Sequence, residues 1–140
     1  MAKLRDSVEF LADFPDDTVC DDNGDEVQFA GENVARTIAE LLTKRGYEVS
    51  EPENCLEFGW ELGALRSKSR FWMRITKIEE FVIVTQDMTR RLWPKREPFA
   101  AFLGDLHAVL QSDVRFSRIR WFQDALPADG GDWRPEPLDS

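Results

Sequence analysis

The chain has 140 residues, 42% apolar and 32% charged, with 18 Lys+Arg against 27 Asp+Glu and a net charge of −9. That is enough for one domain with a closed core, and no apolar run approaches the roughly 20 residues a membrane span needs. Two cysteines, Cys20 and Cys55, are too few for a disulfide scaffold, and the opening MAKLRDSVEF has no apolar core resembling a signal peptide, which together predict reduced thiols in a cytoplasmic protein.

Val8, Phe10, Ala12 and Phe14 alternate with Ser7, Glu9 and Asp13, with Leu11 breaking the polar side. The pattern predicts a strand over about 8–14, ended by Pro15-Asp16-Asp17. Residues 16–26, DDTVCDDNGDE, read as an acidic loop. Val34, Ile38, Leu41 and Leu42, with Ala35 and Ala39, then form one apolar stripe at helical spacing. Glu32 at the start and Lys44 and Arg45 at the end complement the helix dipole, and Gly46 suits a left-handed closing position. Tyr47 and Val49 predict a short strand, stopped by Pro52.

Phe58, Trp60, Leu62 and Ala64 share one face of a predicted strand, with Glu57, Gly59, Glu61 and Gly63 on the other. After the polar turn at 66–69, Phe71, Met73 and Ile75 oppose Arg70, Trp72, Arg74 and Thr76. A third strand over 81–85 lacks polar alternation, which places it near the middle of the sheet and covered on both faces. Short connections make the three an antiparallel meander. A polar connection over 87–98 leads to a second helix over about 98–111, whose stripe is Phe99, Phe102, Leu103, Leu106, Val109 and Leu110. A last strand is predicted within 114–122, and a loose Pro-, Gly- and Asp-rich tail over 125–140. The fold class is α+β: one domain over 1–124 with five to six mostly antiparallel strands and two helices, in the order β-α-β-β-β-β-α-β.

Charge is segregated along the chain. Residues 1–64 hold 5 Lys+Arg and 16 Asp+Glu, residues 65–97 hold 9 and 4, and residues 98–140 hold 4 and 7. A net acidic chain with an acidic front disfavours general nucleic-acid binding. It suits a partner of opposite charge at either region.

Few motifs carry chemistry. The acidic loop fails the EF-hand spacing: with Gly24 at position 6, Val19 falls at position 1 and Ala30 at position 12. A looser cation site from Asp21, Asp22, Asp25 and Glu26 competes with the simpler reading of a solvated loop. His107 is the only histidine, and no C-x-x-C occurs, so no zinc set assembles. A Cys-His nucleophile would need Cys20 or Cys55 brought to His107. No glycine-rich phosphate loop is present, and no cofactor or metal is expected. Glu57 and Glu61, four apart on one strand, would share a face with roughly 13 Å between their Cα atoms at about 3.3 Å per residue, long for a carboxylate pair in glycoside hydrolysis.

The surface that stands out is Arg70, Trp72 and Arg74, with Arg90 and Arg91 as neighbours from the following connection. An aromatic between guanidiniums serves stacking, anion contact or a protein interface. The plainer alternative is a tryptophan packed under a helix with arginine stems around it.

The run GENVARTIAELLTKRGYEV, then PE, then FGWEL, resembles small acidic bacterial proteins with the same cadence of helix, Gly, strand and Gly-Trp, some of them similar to immunity proteins of bacterial toxin systems. The resemblance implies a non-enzymatic protein-binding module that neutralises a toxin or effector by covering it, and assigns no residue. Two other readings stand beside it: a small-ligand or nucleic-acid-binding regulator using the Trp/Arg face, and a small metal-dependent hydrolase using the acidic loop or the Glu57–Glu61 face.

Overall fold

Alternating apolar residues lay down the sheet, and the two helical stripes cover one side of it. In a computed structural model that describes residues 4–93, 95–123 and 132–139, strand β1 (Ser7–Ala12) buries Val8 and Phe10 against the helices. Two short strands, β2 (Val19–Cys20) and β3 (Glu26–Gln28), form a hairpin that pairs only with itself. Helix α1 (Glu32–Lys44) leads to the short strands β4 (Glu48–Val49) and β5 (Glu53–Asn54) and a single 3-10 turn over Leu56–Phe58. The meander β6 (Trp60–Arg66), β7 (Ser69–Lys77) and β8 (Phe81–Asp87) follows, then helix α2 (Glu97–Ser112) and strand β9 (Phe116–Phe122).

The protein is α+β. The main sheet runs β4-β6-β7-β8-β1-β9, with β5 beside β4 on the outer edge of β6, and its pairs are antiparallel. β8 lies in the interior of the sheet, and Phe81, Val82 and Ile83 are all buried, as the missing alternation predicts. Trp60, Leu62 and Ala64 of β6, Phe71, Met73 and Ile75 of β7, and Ile83 of β8 meet Val34, Ile38 and Leu42 of α1 and Phe102, Leu103, Leu106 and Leu110 of α2. Burying each large side chain stabilises the fold by roughly 1.5–3 kcal/mol. Phe71 stacks on Phe102 at 4.5 Å and on Phe99 at 5.9 Å, which fixes α2 over β7. Tyr47 anchors the far end: its hydroxyl donates to Asp105 at 2.6 Å, joining the turn after α1 to α2. Burial first, then that bond to a carboxylate, pushes the phenol well above its usual range.

Three expectations change. The acidic loop contains the β2–β3 hairpin. The strand read over 58–64 begins only at Trp60, because Gly59 sits at φ 95 and breaks the alternation, so Phe58 belongs to the 3-10 turn and is 59% exposed rather than buried beside Trp60. For the same reason Glu57 and Glu61 do not share a strand face. Of the tail read over 125–140, residues 125–131 and 140 lie outside the described residues. Residues 132–139 run back to the body: Arg134 exchanges backbone hydrogen bonds with Trp121, and Leu138 pairs with Leu4. The buried Arg5 donates to the Glu136 carbonyl at 3.1 Å and pairs with the Asp139 carboxylate.

Candidate functional site: the open face of the sheet

With both helices on one side, the other face of the sheet depends on its own side chains for cover. Its two halves differ. Over β1, β8 and β9 an ion cluster lies on it: Arg120 bridges Glu9 and Glu80, Arg118 reaches Glu80 at 3.3 Å, and Trp133 lies against the Arg120 guanidinium at 5.8 Å, with a recess of about 300 Å³ between Glu9, Glu80 and Ile78. Burial, then a hydrogen bond to Glu80, raises the Glu9 carboxyl above its ordinary value, while the same bond and the arginines lower Glu80. Val82 is buried beneath this layer.

Over β6 and β7 no such ion cluster forms among the described residues. Here the register sets Trp72 opposite Gly63, Arg74 opposite Glu61, and Arg70 opposite Leu65. Trp72 is half-buried on this face, and the space above Gly63 is bordered by Ser50 Oγ and the Phe71 carbonyl rather than by the indole. The Trp72 indole N–H donates to Glu61 at 2.9 Å. Arg74 places its guanidinium 5.3 Å from the Trp72 ring and 5.9 Å from the Phe58 ring. Such contacts contribute about 0.5–1 kcal/mol each at exposed sites, enough to bias orientation. Arg70 is exposed, and its backbone is tied on both sides: its N–H donates to Thr89 Oγ1 at 2.8 Å and its carbonyl accepts from Met88 N–H at 2.8 Å. Beside Trp72 a groove of about 480 Å³ runs between Glu48, Ser50, Gly63, Leu65, Arg70 and Met88.

Phe58 reaches this face because Gly59 lets the 3-10 turn cross the end of β7, where Thr76 Oγ1 donates to the Phe58 carbonyl at 2.9 Å. The signal for this lay in the E-F-G-W run, where a glycine between two aromatics marks a change of direction rather than a strand. Glu61 is fully engaged: besides the indole it meets the Cys55 thiol, which burial first and then this carboxylate push up to about 11. The thiol stays protonated at neutral pH and is a poor nucleophile.

Arg90 and Arg91 do not join the Trp72 face. They line a second recess of about 550 Å³ at the end of the sheet, between the β6–β7 turn and the connection into α2, with Ser67, Lys68, Trp93 and Lys95. Arg91 is tied down by Asp87 at 3.3 Å and Ser69 at 2.9 Å. Among the described residues, Lys68, Arg90 and Lys95 have no ion-pair partner, and Leu92 and Trp93 beside them are 95% and 78% exposed.

The remaining candidates resolve into structural roles. Asp17 accepts from Gly31 N–H at 2.9 Å and Asn33 N–H at 2.7 Å, which caps the start of α1 from a distance. Asp21 accepts from Asn23 and Asp25 N–H groups and shapes the hairpin turn. Among the described residues no three His, Cys, Asp or Glu side chains converge as metal ligands. His107 lies on the helix side of the sheet, where its Nδ1 accepts the Trp121 indole N–H at 3.0 Å, and burial lowers its pKa. That position serves packing, and no cysteine lies against it. No helix among the described residues is long and apolar enough to cross a membrane.

Comparison with protein-family models, with curated proteins and with solved structures returned no match.

Proposed function

We propose that the chain is a non-enzymatic binding protein that docks a protein partner on the open half of its sheet, over Trp72, Arg70 and Arg74. The observation that carries the reading is the preset geometry of Trp72. Its indole is oriented by Glu61 and flanked by the Arg74 guanidinium, and it borders an open groove of about 480 Å³, whereas the neighbouring half of the same face carries the ion cluster of Glu9, Glu80 and Arg120. Tryptophan and arginine are the residues that most often anchor interfaces, and orienting them beforehand lowers the entropic cost of association. Partner neutralisation of the immunity type is the specific form of this reading that the resemblance over residues 29–62 suggests, with a bacterial toxin or effector as the partner and the cytoplasm as the place of action. The hydrolase reading lacks support, since Glu57 and Glu61 lie on different elements and Glu61 is held by Trp72 and Cys55.

The test uses the intact protein as bait in lysate of the native cell, beside a Trp72→Ala/Arg74→Ala variant. A partner retained by the wild type and lost by the variant supports docking on this face. Retention of the same protein by both, or of none by either, sinks it. A small-ligand reading is favoured by one feature only, the groove of about 480 Å³ beside Trp72, which is within the usual range for ligand sites. It predicts a thermal shift with a small molecule and no captured protein.

A further inference from the structure

The opposite ends of the β7–β8 hairpin carry opposite charge. At one end the β2–β3 hairpin forms a small sheet of its own, tied to the body by Asn54 Nδ2 donating to the Val27 carbonyl at 3.0 Å, with Asp16, Asp17, Asp21, Asp22, Asp25 and Glu26 against the nearby cation Lys77. Val19 and Val27 are 46% and 44% exposed on this small sheet. At the other end is the recess of about 550 Å³, where Lys68, Arg90 and Lys95 have no ion-pair partner among the described residues and Leu92 and Trp93 are exposed. One end is an acidic hairpin with exposed apolar side chains, and the other is a basic hollow with exposed apolar side chains.

We infer that the hairpin of one copy docks in the basic recess of a second copy, head to tail. A chain cannot satisfy itself this way. β7 spans nine residues between the two ends, about 26 Å at roughly 3.3 Å per residue, while charges in water are screened beyond about 8 Å at physiological ionic strength. The unpaired cations therefore meet the carboxylates only in trans. The contact joins two different surfaces, so each added copy leaves one free hairpin and one free recess, and the product is a ring or an open chain rather than a closed twofold dimer. It is a weak contact dominated by charge, sensitive to salt, and it leaves the Trp72 face uncovered.

The test is sedimentation of the full chain over a concentration series at low and high salt. The expected result is a weight-average mass that climbs above the monomer's 16.2 kDa with concentration at low salt and returns to it at high salt. Two neutralised variants separate the surfaces: Lys68→Gln/Arg90→Gln/Lys95→Gln for the recess, and Asp22→Asn/Asp25→Asn/Glu26→Gln for the hairpin. All six side chains lie outside the core, and unchanged circular dichroism and denaturant midpoints confirm folding. Each variant alone stays monomeric, and their equimolar mixture forms a one-to-one pair and nothing larger. A wild type that is monomeric throughout overturns the inference. So does association that survives either variant set, or a mixture that fails to pair. A monomeric wild type whose fluorescence responds to polyglutamate, with loss of response in the recess variant, also overturns it and assigns the recess to a foreign acidic chain. Trp72→Ala leaves self-association unchanged, so this test and that of partner docking fail independently.

Discussion

Replacing Gly59 with alanine probes how the Phe58 turn is laid over β7. Gly59 has φ 95 and ψ −146, close to a region essentially reserved for glycine, where holding another residue costs of order 1–3 kcal/mol. A Cβ there would stand 2.2 Å from the Ile75 carbonyl oxygen and 2.7 Å from Thr76 Oγ1. The threonine side chain could rotate at the loss of its bond to Phe58. The carbonyl belongs to the central meander, so its backbone cannot withdraw without disturbing the ladder. Relieving such an overlap adds roughly 1–3 kcal/mol, so the expected total is about 2–6 kcal/mol, whose upper half is among the largest single-residue effects. Gly46 supplies the control. Its φ is 98 but nothing lies within 4 Å of an added Cβ, so alanine there carries the backbone cost alone, about 1–2 kcal/mol. Urea unfolding of the two variants, followed by tryptophan fluorescence and circular dichroism with slopes compared, measures both. If Gly59→Ala costs no more than Gly46→Ala, the close approach to β7 is not what selects glycine, and the account of how Phe58 reaches Arg74 fails with it.

Asp17→Ala should cost about 1–2 kcal/mol by removing the cap on α1, whereas Asp22→Ala should stay within about 0.5 kcal/mol; equal midpoints for the two would refute the capping role. Asp113 is held down to about 2, first by its side-chain bond to Arg115 and then by the Arg115 backbone N–H. A depressed carboxyl stabilises the fold above its unfolded value and loses that contribution as pH falls. The stability gap between wild type and Asp113→Asn should therefore be full above about pH 4 and close toward about pH 2, and a gap constant across that range in urea titrations would contradict it. His107→Leu should cost about 1–3 kcal/mol at neutral pH by orphaning the Trp121 N–H. Burial lowers the His107 pKa, so the wild type should also lose stability as pH falls below the usual histidine value of about 6.5. The leucine variant should lack that part of the profile, and identical profiles would count against the Trp121–His107 bond.

Much of the site was legible because it follows from periodicity. Arg70, Trp72 and Arg74 had to share a face once Phe71, Met73 and Ile75 were placed inward, since side chains alternate on a strand. What escaped was anything that depends on partners remote in sequence. Phe58 was assigned to the core because alternation was carried through Gly59, where a positive φ interrupts it. Glu61 was paired with Glu57 by spacing, although its real partner is Trp72 on the next strand. Arg90 and Arg91 were grouped with Trp72 by basic character, yet the Met88 N–H and the Thr89 hydroxyl, both bonded to the Arg70 backbone, send the following residues round the end of the sheet into a separate recess. Asp17 looked like one more solvated carboxylate, because nothing local announces that its acceptors face Gly31 and Asn33.

The sequence by itself determined the element order, the two helical stripes, the meander and the class of fold. Those follow from local geometry, in which a period of two or of 3.6 decides which side chains can be buried together. The tertiary structure alone decided which half of the sheet stays open. That choice turns on where Glu9, Glu80, Arg120 and Trp133, drawn from four distant segments, meet to lay an ion cluster over one half. Among the described residues no ion cluster of that kind lies over Trp72, and a contact made across such separations leaves no periodic trace along the chain.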